Sequence, residues 1–263
     1  MKALFADKMR TSFVVLGSLL LLFIAWPLLK MLSASPPGLL WQTLLEDDVR
    51  ASILLTLYGS LIATLIAFVC GVPLAYLLAR TDFPAKWLIE GLVDVPIVVP
   101  HTAAGIALLT VFGRRAPLGQ AFDLLGIKFV SAAPGVVIAM LFVSLPFLVN
   151  AAREGFESVE PRLERVARTL GASPWQAFWR VSLPLAWRGI LSGMIMMWAR
   201  GLSEFGAVVI LAYHPMVAPV LLYERFESFG LRYARPVATL MILICLLAFV
   251  LLRVTARGKE SKA

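Results

Sequence analysis

Five stretches of this chain, residues 11–29, 51–79, 95–113, 129–152 and 236–252, hold no Asp, Glu, Lys or Arg. A helix needs about 20 mainly apolar residues to cross the hydrocarbon core of a bilayer, and these runs approach or exceed that length. A sixth candidate, residues 189–212, is broken by Arg200 and Glu204. A seventh, residues 216–223, is too short to span. With Pro215 before it and Pro219 inside it, it reads as a non-spanning or interfacial element. The expectation is an all-α membrane protein with six transmembrane helices.

Composition supports that reading. Hydrophobic residues make up 60% of the chain and charged residues 15%, with a mean hydropathy of +0.87. A water-soluble domain of 263 residues could not hide so much apolar surface. A soluble enzyme, a disordered chain and a fibrous repeat are therefore excluded. The first run resembles a signal peptide in having Lys2, Lys8 and Arg10 before it and Ser33-Ala34-Ser35 after it. Its apolar core of 19 residues exceeds the usual ~7–15, so it is read as an uncleaved first span.

Basic residues set the orientation. With the N-terminus inside, 15 Lys and Arg fall on the inner side and 8 on the outer, with Arg200 within the membrane. Both termini are thus expected in the cytoplasm. The loop holding Arg114, Arg115 and Lys128 is the part that fits least well. This distribution explains the net charge of +8 without nucleic acid. Cys70 and Cys245 lie in apolar runs and read as small buried hydrophobes. No linker or repeat divides the chain. Residues 1–50 are read as an N-terminal segment with the first span, 51–252 as the transmembrane core, and 253–263 as a basic cytoplasmic tail.

Most loops are short, but residues 153–188 form a long one. Pro161 opens a helix through Leu170, and Gly171 suits a left-handed cap. Ser173-Pro174-Trp175-Gln176 then reads as a capping box opening a second helix, and Pro184 marks the approach to the fifth span. Leu163, Val166, Ala167 and Leu170 share one stripe of the first helix, with Arg162, Arg165 and Arg168 on another. Periodicity alone fits a loop that packs under the bundle or lies on lipid headgroups.

The spacing adds more. Arg165-Val166-Ala167, then Gly171, then Val181-Ser182-Leu183-Pro184 resembles the EAA motif of ABC-transporter permeases, in which this loop docks on a separate ATPase subunit. Strict register puts Arg165 at the glutamate position, with Glu164 one residue early, so the family's glutamate contact is not carried over to Arg165. Residues 93–105 and 198–207 are similar to segments of molybdate and tungstate permeases, and share their general pattern with sulfate permeases. The resemblance implies a type I ABC importer fold. It further implies a homodimer, two ATPase subunits inside and an oxyanion-binding protein outside. ATP and Mg would sit on the partner subunit, leaving this chain without a cofactor. It places ATPase coupling at Arg165, Ala167, Arg168, Leu170, Gly171, Ala172, Ser173, Leu183 and Pro184. A multi-pass place in the cell membrane follows.

Arg200 and Glu204 are four apart on an expected helix, near the middle of the fifth span. Ionisable groups there are costly and face the bundle interior, a partner or water. The pair suits an ion pair that locks helices, a gate element, or both. His101 lies between Pro100 and Thr102 and reads either as a packing residue or as pathway lining. Pro100, His101, Thr102, Arg200, Ser203 and Glu204 form the candidate pathway set. The sequence contains no Walker A motif, zinc-ligand spacing or nucleophile elbow. Two rivals remain besides a sulfate or thiosulfate permease. One is an ion-coupled secondary transporter using Arg200 and Glu204. The other is a membrane-embedded enzyme, which has no visible nucleophile or metal constellation.

Overall fold

The computed structural model describes residues 2–257. Lys259 and Lys262 of the expected tail lie outside the described residues. Helix α1 (Lys2–Ser33) is followed by α2 (Pro37–Leu45), α3 (Asp47–Arg80), α4 (Lys86–Val98), α5 (His101–Phe112) and α6 (Pro117–Asp123). Then come α7 (Ala133–Glu157), α8 (Pro161–Thr169) and α9 (Pro174–Ala177). A π-helical turn (Phe178–Ser182) leads into α10 (Leu183–Leu202). The chain continues through α11 (Gly206–Leu211), α12 (Ala218–Phe229) and α13 (Leu231–Arg257). Among the described residues, five helical stretches are long and apolar enough to cross a membrane, or six if α4 and α5 count as one bent span.

The core lies where α3, α7 and α10 meet. Helix α3 buries Ser52, Thr56, Ser60 and Thr64, each four residues apart, and below them Ala67, Gly71 and Ala75. Small side chains on one face let helix backbones approach closely in lipid, where burial alone supplies little drive. The hydroxyls also tie α3 to its neighbours. Ser60 donates to the Trp198 carbonyl at 2.7 Å, and Thr56 Oγ1 accepts from Ala218 N–H at 2.8 Å. Near the start of α3, Arg225 of α12 bridges Glu46 and Asp48 at 2.5 and 2.8 Å.

Two expected spans are not single continuous helices. The third, expected over residues 95–113, is a pair: α4 and α5 meet at a bend of 115°. Pro100 has no N–H to continue the ladder and disfavours helical geometry at the residue before it. Val99 accordingly takes ψ 132°, an extended conformation. The fifth, expected over 189–212, starts earlier and stops sooner. Its helical stretch is Pro174–Leu202, and α11 is a separate short helix. Arg200 and Glu204 therefore do not share a helix, and lie at the end of the span rather than near its middle. The chain breaks because the Glu204 carboxylate accepts the Ala207 N–H at 2.9 Å, satisfying a donor at the start of α11. The expected second helix of the loop is likewise no separate helix, since α9 runs through the π-turn into α10. The 216–223 element appears as α12, twelve residues long.

Candidate functional site

Two helix breaks face one another. Helix α5 packs along α11, and glycine allows the contact: a Cβ on Gly206 would lie 2.7 Å from the His101 Cβ, and one on Gly105 would lie 2.9 Å from the Ala207 carbonyl oxygen. This brings His101, at the first turn of α5, against the Ser203–Phe205 break. Glu204 is fully buried. Its Oε2 lies 3.1 Å from an Arg200 terminal nitrogen and 3.0 Å from His101 Nδ1. These are ion-pair distances without an aligned hydrogen bond to that oxygen. The same Arg200 nitrogen stands 2.9 and 2.8 Å from the two His101 ring nitrogens. Arg200 also donates to Ser203 Oγ at 3.2 Å.

The cluster is electrically lopsided. Its carboxylate is hidden, while the Arg200 and His101 side chains keep 22% and 36% exposure. The guanidinium of Arg200 is the cation of the cluster. An approaching anion therefore meets cationic and neutral donors, with the negative charge set behind them. Pro100, Thr102 and Ser203 lie exposed around it, so all six expected pathway residues fall at the two breaks.

At the other end of α10 lies the loop. Gly171 has φ +94°, the left-handed conformation expected of it. The Ser173 box is formed in both directions, with Gln176 N–H to Ser173 Oγ at 3.2 Å and Ser173 N–H to Gln176 Oε1 at 2.9 Å. Helix α8 has no fully buried side chain. Leu163, Val166 and Leu170 are 44%, 47% and 83% exposed, and Ala167 is half-buried. Arg162, Arg165 and Arg168 are exposed, as are Gly171 and Ser173, and Ala172 is half-buried. Leu183 and Pro184 lie in the first turn of α10, away from that exposed tip.

Sequence reasoning missed two polar connections. Glu90 and Asp94 on α4 pair with Arg153 at 2.8 Å and Asn150 at 2.7 Å on α7. Their spacings of four and three residues were the available signal. Glu164 on α8 meets Arg80 and Tyr76 of α3. The signal there was its misfit in the EAA register.

Residues 71–258 match the family described as binding-protein-dependent transport system inner membrane component. The chain belongs to that family. It is a multi-pass protein of the cell membrane and a transport subunit. One relative, the molybdate/tungstate transport system permease protein WtpB of Thermococcus kodakarensis, is 46% identical over 92% of this chain and 93% of its own length. Another, from Chlorokybus atmophyticus and named "Probable sulfate transport system permease protein cysT", is 34% identical over 87% and 82%. In three dimensions the family member is similar to a chain of a bacterial ABC transporter that imports the acidic polysaccharide alginate. The TM-score is 0.71 at 18% identity, covering 97% of this chain and 99% of that one. The type I importer permease fold expected from the sequence is thus the fold observed.

Proposed function

We propose that this permease forms the membrane pathway of an ATP-driven importer for molybdate or tungstate. It works as a homodimer with both termini in the cytoplasm. Two ATPase subunits bind inside and carry the ATP and Mg, and an oxyanion-binding protein delivers the anion outside. The 46% identity to a molybdate/tungstate permease favours that substrate over sulfate, whose cited relative is 34% identical.

The observation that carries the reading is α8. An isolated nine-residue helix is marginal in water, yet this one turns Leu163, Val166 and Leu170 outward with arginines beside them. An apolar stripe with a basic rim suits a protein cleft. Docking there joins ATP-driven closure of the ATPase pair to the membrane helices. The Arg200–His101–Glu204 cluster stands where the bent α4–α5 pair meets the α10–α11 break, and opens and closes the route. Its exposed cationic edge suits a dianion, and weak contact suits passage, since a tight site would trap the ion.

The test is co-purification of the ATPase with variants of the loop. Valine at Gly171 is strained at φ +94°, and Leu170→Asp places a charge in the contact. Both should insert in the membrane and lose ATPase, by about tenfold in retained subunit for 1.4 kcal/mol of lost affinity. Full retention by both would remove α8 from the docking surface.

A further inference from the structure

Helix α8 can pass on a movement only through whatever fastens it to the bundle. Its own side chains supply little packing, and it is joined to α7 through Ser158–Glu160 and to α9 through Leu170–Ser173. Among its charged side chains, Glu164 turns inward. Glu164 is 13% exposed and its partner Arg80 is 10% exposed. Arg80 Nε donates to Glu164 Oε1 at 2.7 Å, Tyr76 Oη donates to Glu164 Oε2 at 2.9 Å, and the Arg80 terminal nitrogen donates to the Val159 carbonyl at 2.8 Å. Both carboxylate oxygens and the backbone just before α8 are thus held from the last two turns of α3. The Tyr76 ring packs edge-on against Phe156 of α7 at 5.2 Å and Phe178 of the π-turn at 4.8 Å.

We propose that Glu164, Arg80 and Tyr76 are positioning residues that make α8 and α3 move together, so that ATPase motion enters the bundle through α3. The proposal rests on the docking role of α8. Helix α3 is one continuous helix of 34 residues, with Pro73 inside it, about 50 Å long at 1.5 Å per residue. Twenty residues above Arg80, Ser60 holds the Trp198 carbonyl and lies directly under Gly201, next to Arg200. A single helix therefore runs from the docking helix to the foot of the cationic cluster. The covalent route through α9 includes a π-turn, where the ladder is already loosened. The contact at Glu164 is charge-assisted and engages both carboxylate oxygens.

The experiment uses the permease with its ATPase in proteoliposomes, the oxyanion-binding protein added outside, and tungstate as probe. Uptake and ATP hydrolysis are measured together for Glu164→Ala, Arg80→Ala and the double variant. Alanine keeps α8 and α3 helical. The expected result is that each single variant retains the ATPase and hydrolyses ATP, while tungstate taken up per ATP falls about tenfold. The double variant should be no worse than the poorer single one, because both break the same tie. A ratio unchanged in the singles, or losses that add in the double, would overturn the proposal while leaving docking intact. Loss of ATPase from Glu164→Ala alone would also overturn it, by making Glu164 a docking residue. Failure of the unaltered permease to retain ATPase would instead defeat the docking reading, and the proposal with it. Should the alanine variants not reach the membrane, Tyr76→Phe keeps the ring packing and removes only the hydroxyl. It should lower the same ratio, and an unchanged ratio would count against the tie.

Discussion

Glu204 is the most demanding side chain in the protein. A fully buried carboxylate survives only with compensating charge, and Arg200 stands 3.1 Å away to supply it. Removing one partner strands the other, at a typical cost of about 3–5 kcal/mol. Glu204→Gln or Arg200→Met alone should therefore lower the melting temperature of the purified permease more than the double change does. Simple addition of the two losses would argue against a direct pair. Glu164 carries a second prediction. Burial by itself would raise its pKa, but hydrogen bonds from Arg80, Ser182 and Tyr76, with the Arg80 charge, outweigh burial and hold it below the ordinary 4.5. A carboxyl with a lowered folded-state pKa stabilises fully above the unfolded value and stops doing so as pH falls through the folded value. The stability difference between the wild type and Glu164→Gln should be constant above about pH 5 and shrink below pH 4.5. Thermal melting across pH 3–7 measures it, and a difference that persists unchanged at the acid end would show that the charge is not what stabilises.

The broken helices follow from local chemistry that acts on distant partners. The 115° bend between α4 and α5 separates a half tied to α7 by Glu90–Arg153 and Asp94–Asn150 from a half packed on α11. The α5–α11 contact depends on Gly206, whose added Cβ would stand 2.7 Å from that of His101. Gly206→Ala should therefore cost about 1–3 kcal/mol by overpacking. It should reduce uptake while leaving ATPase retention intact, because α8 lies at the other end of α10. Pull-down and uptake on one preparation check this, and loss of both together would contradict it. The spans were readable because apolar runs are a local property, and the loop because Pro161, Gly171, Ser173 and Gln176 carry their conformations with them. Pro96 and Pro100 are visible in the sequence as helix-disturbing residues, but they do not encode the angle. The break after Leu202 was hidden, since Arg200 and Glu204 keep helical spacing and Glu204 turns back to serve Ala207 N–H. The Arg80–Glu164 contact joins positions 84 apart, and no periodicity within either segment encodes it.

Across the molecule, the reading requires one arrangement relative to the membrane: termini and α8 on the ATPase side, the Arg225 bridge on the other. Cysteines placed at Ser158 and at Asp47, in a chain lacking Cys70 and Cys245, should react with impermeant reagents from opposite sides. Reaction of both from one side would contradict the six-span arrangement. Helix α1 spreads Phe13, Leu16, Leu20 and Phe23 outward and packs mainly on α13, so its apolar surface is left for lipid or the second copy. The central claim is that these parts together move an oxyanion at the expense of ATP. The decisive measurement is tungstate and molybdate accumulation in sealed proteoliposomes holding the permease and its ATPase, with ATP inside and the binding protein outside. The account predicts accumulation that requires ATP and the binding protein and is lowered about tenfold by Gly171→Val. Accumulation that proceeds without ATP on an imposed ion gradient, or uptake of a sugar, amino acid or metal cation with no oxyanion moved, would contradict it.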